Sequence, residues 1–283
     1  MISLTHNTAP TQYIDAGGIR FAYRRFGPPA GVPLVFFQHF TGTMDNWDPA
    51  VTDALARHRE VILFNNAGIS STNGDTPDSV AAMARDAATF IDALGLKTGD
   101  LLGFSLGGMI AQQIALDRPD LVRRLVLVGT GPQGGAGMDT FSPEVASIFF
   151  ERKYEPADEI WLDALFAPSA SSQAAGRLFL DRIRARKENR DPPSGMKVAQ
   201  AQLAAVAAWG AARANPLDYL KGITNPALVV NGSNDIILPT INSYAMAQTL
   251  PNAALMIYPD SNHGSQYQYP EVFCAHVNLF LAG

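Results

Sequence analysis

Gly103-Phe104-Ser105-Leu106-Gly107 is the stretch that decides how this chain is read. The run Leu101-Leu102-Gly103-Phe104 has strand character, while Met109, Ile110, Ile114 and Ala115 beyond it form an apolar helical stretch. A G-x-S-x-G sequence between a strand and a helix makes a sharp turn that lifts the serine hydroxyl clear of the backbone. Only glycine-sized neighbours two residues to either side let the two elements pass so closely. The turn also puts the Leu106 N–H at a helix N-terminus, where free amides and the helix dipole stabilise developing negative charge. Ser105 is thus a candidate nucleophile and the Leu106 amide a candidate oxyanion donor.

Outward from that turn, short β-branched and aromatic runs alternate with helix-period segments. Leu34-Val35-Phe36-Phe37, Val61-Ile62-Leu63-Phe64 and Leu125-Val126-Leu127-Val128 are such runs, the pattern of a parallel sheet covered on both faces. Val80, Ala84, Ala87, Phe90, Ile91 and Leu94 recur every three or four residues until Gly95, which predicts a helix with one buried face. Tyr13 to Asp15 and Ile19 to Phe26 flank Gly17-Gly18 and read as an antiparallel hairpin at the sheet edge. Strand signals stop after Gly129 and resume at Ala227-Leu228-Val229-Val230 and Ala254-Leu255-Met256-Ile257-Tyr258, before a last helix through Phe273, Val277 and Phe280.

The material between is different. Residues 134–222 hold eleven basic and eleven acidic residues, 22 of the 47 charges in the chain, with no net charge. Such density predicts amphipathic helices packed over a sheet rather than strands buried in one. Asp191-Pro192-Pro193-Ser194-Gly195 marks a loop between helices, and Ala199 to Ala214 reads as a helix. The expected organisation is a sheet domain formed by residues 1–133 and 223–283, interrupted by a helical insert at 134–222.

At 283 residues, 47% hydrophobic and 17% charged, the chain has material for a sizeable core and falls outside the disordered class. A net charge of −5 argues against a surface that neutralises phosphates, so no nucleic-acid partner is expected. The lone Cys274 cannot form an internal disulfide, and Met1 to Pro10 shows neither the basic nor the apolar region of a signal peptide, so a cytoplasmic location is expected. No apolar stretch approaches the roughly 18 residues of a membrane span, so no membrane partner is expected. The oligomeric state is open, a homodimer included.

A serine nucleophile needs a base and an acid that orients it. Of His6, His39, His58, His263 and His276, only the last two follow Ser105 in the chain, the order Ser, then acid, then His that such turns use. His276 stands one turn from Phe273 and Phe280 and reads as structural; His263, on the polar loop Asp260-Ser261-Asn262-His263-Gly264-Ser265 after a strand, is the candidate base. Asp235, on the loop after Ala227 to Val230, stands at the carboxyl end of a strand, where open α/β sheets place their sites. It is the candidate acid. Asp260 reads as a loop or capping residue, and Asp139 is a second candidate acid. The histidines lack any paired spacing, and Gly68, Gly74 and the Gly131 to Gly137 cluster match no phosphate-binding loop, so neither a metal nor a cofactor is implied.

On these residues the sequence resembles the α/β-hydrolase superfamily over nearly its whole length, and within it the branch of esterases, lactonases and cofactor-free haloperoxidases. The resemblance implies an α/β fold: a mostly parallel eight-stranded sheet flanked by helices, with a helical cap inserted after the sixth strand. It implies Ser105 as nucleophile, Asp235 as acid and His263 as base. Members carry His-Gly-x after the third strand, where the amide of x is the second oxyanion donor. By position that is Phe40, although Gln38-His39 stand in place of His-Gly. A second family element, Asp-x-x-Gly-x-Gly-x-Ser, is also altered, reading Asn65-Asn66-Ala67-Gly68-Ile69-Ser70-Ser71-Thr72.

The activity so implied is cleavage of an ester or lactone of a small, largely apolar molecule through an acyl-enzyme. His39, Phe104, Trp209, Ile236 and Ile237 are candidate pocket residues, with His39 also read as a hydrogen-bonding partner for nearby backbone. Hydrogen peroxide in place of water would give perhydrolase or haloperoxidase chemistry on the same site. A ligand-binding protein that has lost catalysis is the reading from a different class.

Overall fold

The apolar runs become the middle of a sheet. In the computed structural model, which describes residues 4–283, Leu34–Phe37 (β3) and Val61–Phe64 (β4) are buried at every position, as are Gly99–Phe104 (β5) and Ala227–Gly232 (β7). Residues 1–3, part of the N-terminal stretch read for a signal peptide, lie outside the described residues. Gln12–Ala16 (β1) and Ile19–Phe26 (β2) form the expected edge hairpin, while Val122–Val128 (β6) and Ala253–Tyr258 (β8) complete the set. The strands lie in the order β1-β2-β4-β3-β5-β6-β7-β8. The two pairings made by β2 are antiparallel and the other five are parallel.

Alternation along each strand divides the core between the two faces. Val35 and Phe37 pack with Ile62 and Phe64 on one face, beneath Val80–Ala93 (α2) and Leu106–Asp117 (α3). Leu34 and Phe36 pack with Leu63, Leu102 and Phe104 on the other, against Pro49–Ala56 (α1). The second half of the chain adds Pro143–Ala146 (α4), Ile160–Leu165 (α5), Ala170–Ile183 (α6) and Met196–Gly210 (α7) between β6 and β7, then Ile241–Thr249 (α8), Ser265–Gln268 (α9) and Pro270–Ala282 (α10). The helices between β6 and β7 have no separate core. Leu162, Phe166, Phe179 and Ile183 join the cluster around Phe104, while Ala205 and Trp209 join the other.

The helix expected over Ala199 to Ala214 runs instead from Met196 to Gly210. Gly210 packs so tightly on the loop after β6 that a Cβ there would fall 2.1 Å from the Met138 carbonyl oxygen, and the chain turns away at that contact. Among the described residues no helix is long and apolar enough to cross a membrane.

Candidate active site

Parallel strands leave their carboxyl ends along one edge of the sheet, and the loops there carry the candidate residues. Register aligns the exits: Phe37 pairs with Gly103, Phe104 with Val128, Val128 with Val230 and Gly232 with Tyr258. Ser105 follows Phe104 directly, Asp235 lies three residues beyond β7, and His263 lies five beyond β8.

Ser105 sits at φ 56, ψ −120, a conformation rarely adopted by a residue with a side chain, and its amide donates to the Val128 carbonyl at 2.9 Å. The glycines around it are obligatory in space. A Cβ on Gly107 would fall 2.0 Å from the Phe37 carbonyl oxygen, and one on Gly103 would fall 2.4 Å from the Gly107 oxygen. The strand and helix therefore meet backbone to backbone, and the serine stands at the start of α3.

Asp235 and His263 meet. His263 Nδ1 lies 2.8 Å from Asp235 Oδ2, with both side chains almost wholly buried. The other carboxylate oxygen, Oδ1, accepts the Ile237 and Leu238 amides, each at 2.9 Å, and the Asn262 side-chain oxygen accepts the Ile236 amide. The carboxylate is thus aimed by its own loop and tied to the histidine's loop. Gly129, at φ +49, gives the imidazole room, since a Cβ there would approach His263 Nδ1 to 3.2 Å and the Phe104 ring to 3.1 Å. The Phe104 and His263 rings lie 5.0 Å apart.

The other candidates sort by place. Asp260 faces the insert, where its carboxylate accepts the Ser169 and Ser171 hydroxyls, and Asp139 is exposed. His276 Nδ1 lies 2.8 Å from the Tyr258 hydroxyl, within the packing of the last helix. Ile236 and Ile237 are half-buried beside Asp235, and Phe104 is fully buried beneath His39 and His263. Trp209 is committed to packing: its indole N–H donates to the Gly131 carbonyl at 3.2 Å and its ring meets Tyr219 edge-on.

Neither the Phe40 nor the Leu106 amide donates to another group among the described residues. The loop bearing Phe40 keeps its shape by means of the residues that depart from the family pattern. Gln38 Nε2 donates to the Thr43 carbonyl and Gln38 Oε1 accepts the His39 amide, while Gly42 leaves space for this side chain: a Cβ on it would lie 2.2 Å from Gln38 Cγ. His39 Nδ1 lies 2.8 Å from the Phe40 carbonyl. A carbonyl only accepts, so Nδ1 carries the proton and Nε2 is a bare acceptor. Burial lowers the His39 pKa to about 4; the Phe40 carbonyl opposes that and His263 adds to it, so the ring is neutral at pH 7.

Sequence reading offered Trp209 as the insert's contribution to this site and missed two contacts that the insert does make. The Trp161 ring lies 4.8 Å from the His39 ring, and the Leu165 carbonyl accepts the Gly264 amide next to His263 at 2.8 Å. Nothing local in the insert signals either contact. Among the described residues no group of three or more His, Cys, Asp and Glu side chains is arranged to hold a metal.

Residues 32–270 match the family described as alpha/beta hydrolase fold. Among solved structures, an alpha/beta hydrolase fold protein from Chitinophaga pinensis is 43% identical, with a TM-score of 0.92 over 98% of this chain and 99% of that one. Est816, described as an N-acyl homoserine lactone degrading enzyme, is 27% identical, with a TM-score of 0.75 over 95% of this chain and all of its own. A putative carbamate hydrolase, RutD, from Agrobacterium fabrum is 28% identical over 85% of this chain and 89% of its own length.

Proposed function

The chain belongs to the alpha/beta hydrolase fold family, and on that premise we propose that it is a serine hydrolase that cleaves an ester or lactone of a small, largely apolar substrate. The observation that carries this reading is the 2.8 Å bond from His263 Nδ1 to Asp235 Oδ2, at the same sheet edge as the left-handed Ser105. A carboxylate at Nδ1 fixes the tautomer with a free Nε2 and stabilises the charged ring once it takes a proton.

Ser105 Oγ attacks the substrate carbonyl carbon while His263 Nε2 removes the hydroxyl proton. The amides of Phe40 and Leu106 stabilise the oxyanion, each worth roughly 2.7–4 kcal/mol in comparable sites. Collapse of the tetrahedral intermediate breaks the bond to the alkoxy oxygen, which leaves with the proton from His263. Water then enters, His263 takes its proton as the oxygen attacks the acyl carbon, and the bond to Ser105 Oγ breaks with return of that proton from His263 to Oγ, releasing the acid.

His39, Phe40, Phe104, Ile236 and Ile237 lie about this centre, and Trp161 comes to it from the insert. Residues 134–222 act in this reading as a cap that selects the substrate. Est816 is described as a lactone-degrading enzyme and RutD as a putative carbamate hydrolase, and hydrolysis of a lactone or a carbamate is attack on a carbonyl carbon, which agrees with the proposed chemistry. The test is turnover of p-nitrophenyl esters of increasing acyl length and of lactones, with water and hydrogen peroxide compared as acceptors. Absence of turnover on the whole panel by folded enzyme would remove the proposal.

A further inference from the structure

The Phe40 loop is completed by the insert. Thr41, at φ +57, is a β-branched residue in the left-handed region, which needs outside support. Both of its backbone polar groups find it in the insert. The Thr41 amide donates to Gln202 Oε1 at 2.6 Å, and the Ser194 hydroxyl donates to the Thr41 carbonyl at 2.7 Å. Gln202 lies in α7 and is only 1% exposed, so no solvent replaces this acceptor freely. In the same connection as Ser194, the Asp191 amide donates to Asp45 Oδ2 at 2.6 Å, at the far end of the loop.

We propose that Gln202 is a positioning residue for the oxyanion-binding amide of Phe40. The proposal rests on the serine-hydrolase reading above. The peptide joining Phe40 to Thr41 is gripped on both edges, its carbonyl by the protonated Nδ1 of His39 and its N–H by Gln202. A peptide unit is rigid, so holding both edges fixes the torsions on either side and with them the direction of the neighbouring Phe40 N–H. Loss of the Gln202 acceptor leaves the half-buried Thr41 N–H without its protein partner and one edge of the peptide free to turn. The insert then contributes to the chemical step as well as to substrate choice, because the oxyanion site is complete only when α7 is in place.

Two substitutions separate the acceptor from the shape. Gln202→Met keeps the length of the side chain and removes the oxygen, whereas Gln202→Glu keeps an acceptor oxygen. On a p-nitrophenyl ester turned over by the wild type, Gln202→Met should lower kcat by about 10- to 100-fold, the range for a displaced oxyanion donor, with KM within about threefold. It should weaken a trifluoromethyl ketone, whose serine adduct carries the oxyanion, by about the same factor. Gln202→Glu should restore kcat to within about fivefold of wild type. Wild-type kcat in Gln202→Met, a loss confined to KM, or equal losses in both variants would overturn the proposal. Should Gln202→Met fail to fold, Ser194→Ala, which frees the other side of Thr41, should give the same split between kcat and KM, and an unchanged kcat there would overturn it too. A wild type that turns over no ester and binds no ketone removes both readings; an active wild type with unaffected variants removes this one alone.

Discussion

Asp235 and His263 lie 28 residues apart in the chain, on loops after neighbouring strands, and their side chains meet at 2.8 Å in a buried position. Oδ2 of the acid faces the imidazole and Oδ1 is held by two amides, so the carboxylate cannot turn without losing both. Asp235→Asn keeps the amide acceptor but sets an NH2 against Nδ1, which favours the wrong tautomer. Ester kcat should fall roughly 10³- to 10⁴-fold, as in comparable triads, with the unfolding midpoint little changed. Turnover within tenfold of wild type would show that His263 works without this partner.

Gly107→Ala should cost about 3 kcal/mol or more, since the new methyl would meet the Phe37 carbonyl at 2.0 Å and neither backbone can retreat within the core. Urea unfolding measures this directly. A midpoint close to wild type would mean that the turn between β5 and α3 opens more easily than its geometry allows.

Burial lowers the pKa of two histidines, His39 to about 4 and His6 to about 3, from the usual 6.5. In the unfolded chain they take up protons below pH 6.5, while in the folded chain they stay neutral until those lower values. Their contribution is therefore whole above about pH 6.5 and shrinks as pH falls towards 4 and then 3, at up to about 1.4 kcal/mol per pH unit for each ring. Urea midpoints at pH 7, 6 and 5 should decline accordingly, and His6→Gln should flatten that decline. A stability constant from pH 7 to 5 would contradict this.

A buried charged network joins β2, the Phe40 loop and the insert. Arg24, fully buried, donates to both Asp45 oxygens, and Arg186 in the insert donates to the His6 and Ala9 carbonyls beside it. Asp45→Ala leaves the guanidinium buried with much of its charge uncompensated and should cost roughly 3–5 kcal/mol. Replacing Arg24 and Asp45 together by Met and Leu should cost clearly less. A double mutant cycle on unfolding free energy checks both statements, and equal costs would contradict them.

Much of the fold was legible because the central strands are continuous apolar runs. Leu34 to Phe37 and Val61 to Phe64 match β3 and β4 end to end, and the helix read from Val80 onward is α2. Short helices escaped because one or two turns give little periodicity, although Asp48-Pro49 carries the capping signal of α1. The bond between Asp235 and His263 joins residues that their strand-end loops had already marked. Gln202 and Trp161 had no such mark. Gln202 reaches Thr41 across 161 residues, and only the packing of the insert decides which of its polar side chains meets that loop.

The proposed hydrolysis stands or falls with an acyl-enzyme on Ser105, and stoichiometric fluorophosphonate labelling followed during ester turnover is the measurement that decides it. Activity should fall one-to-one with label, peptide mapping should place the adduct on Ser105, and Ser105→Ala should fold normally with neither label nor turnover. Full labelling with activity intact, an adduct on another residue, or undiminished turnover by folded Ser105→Ala would contradict the account.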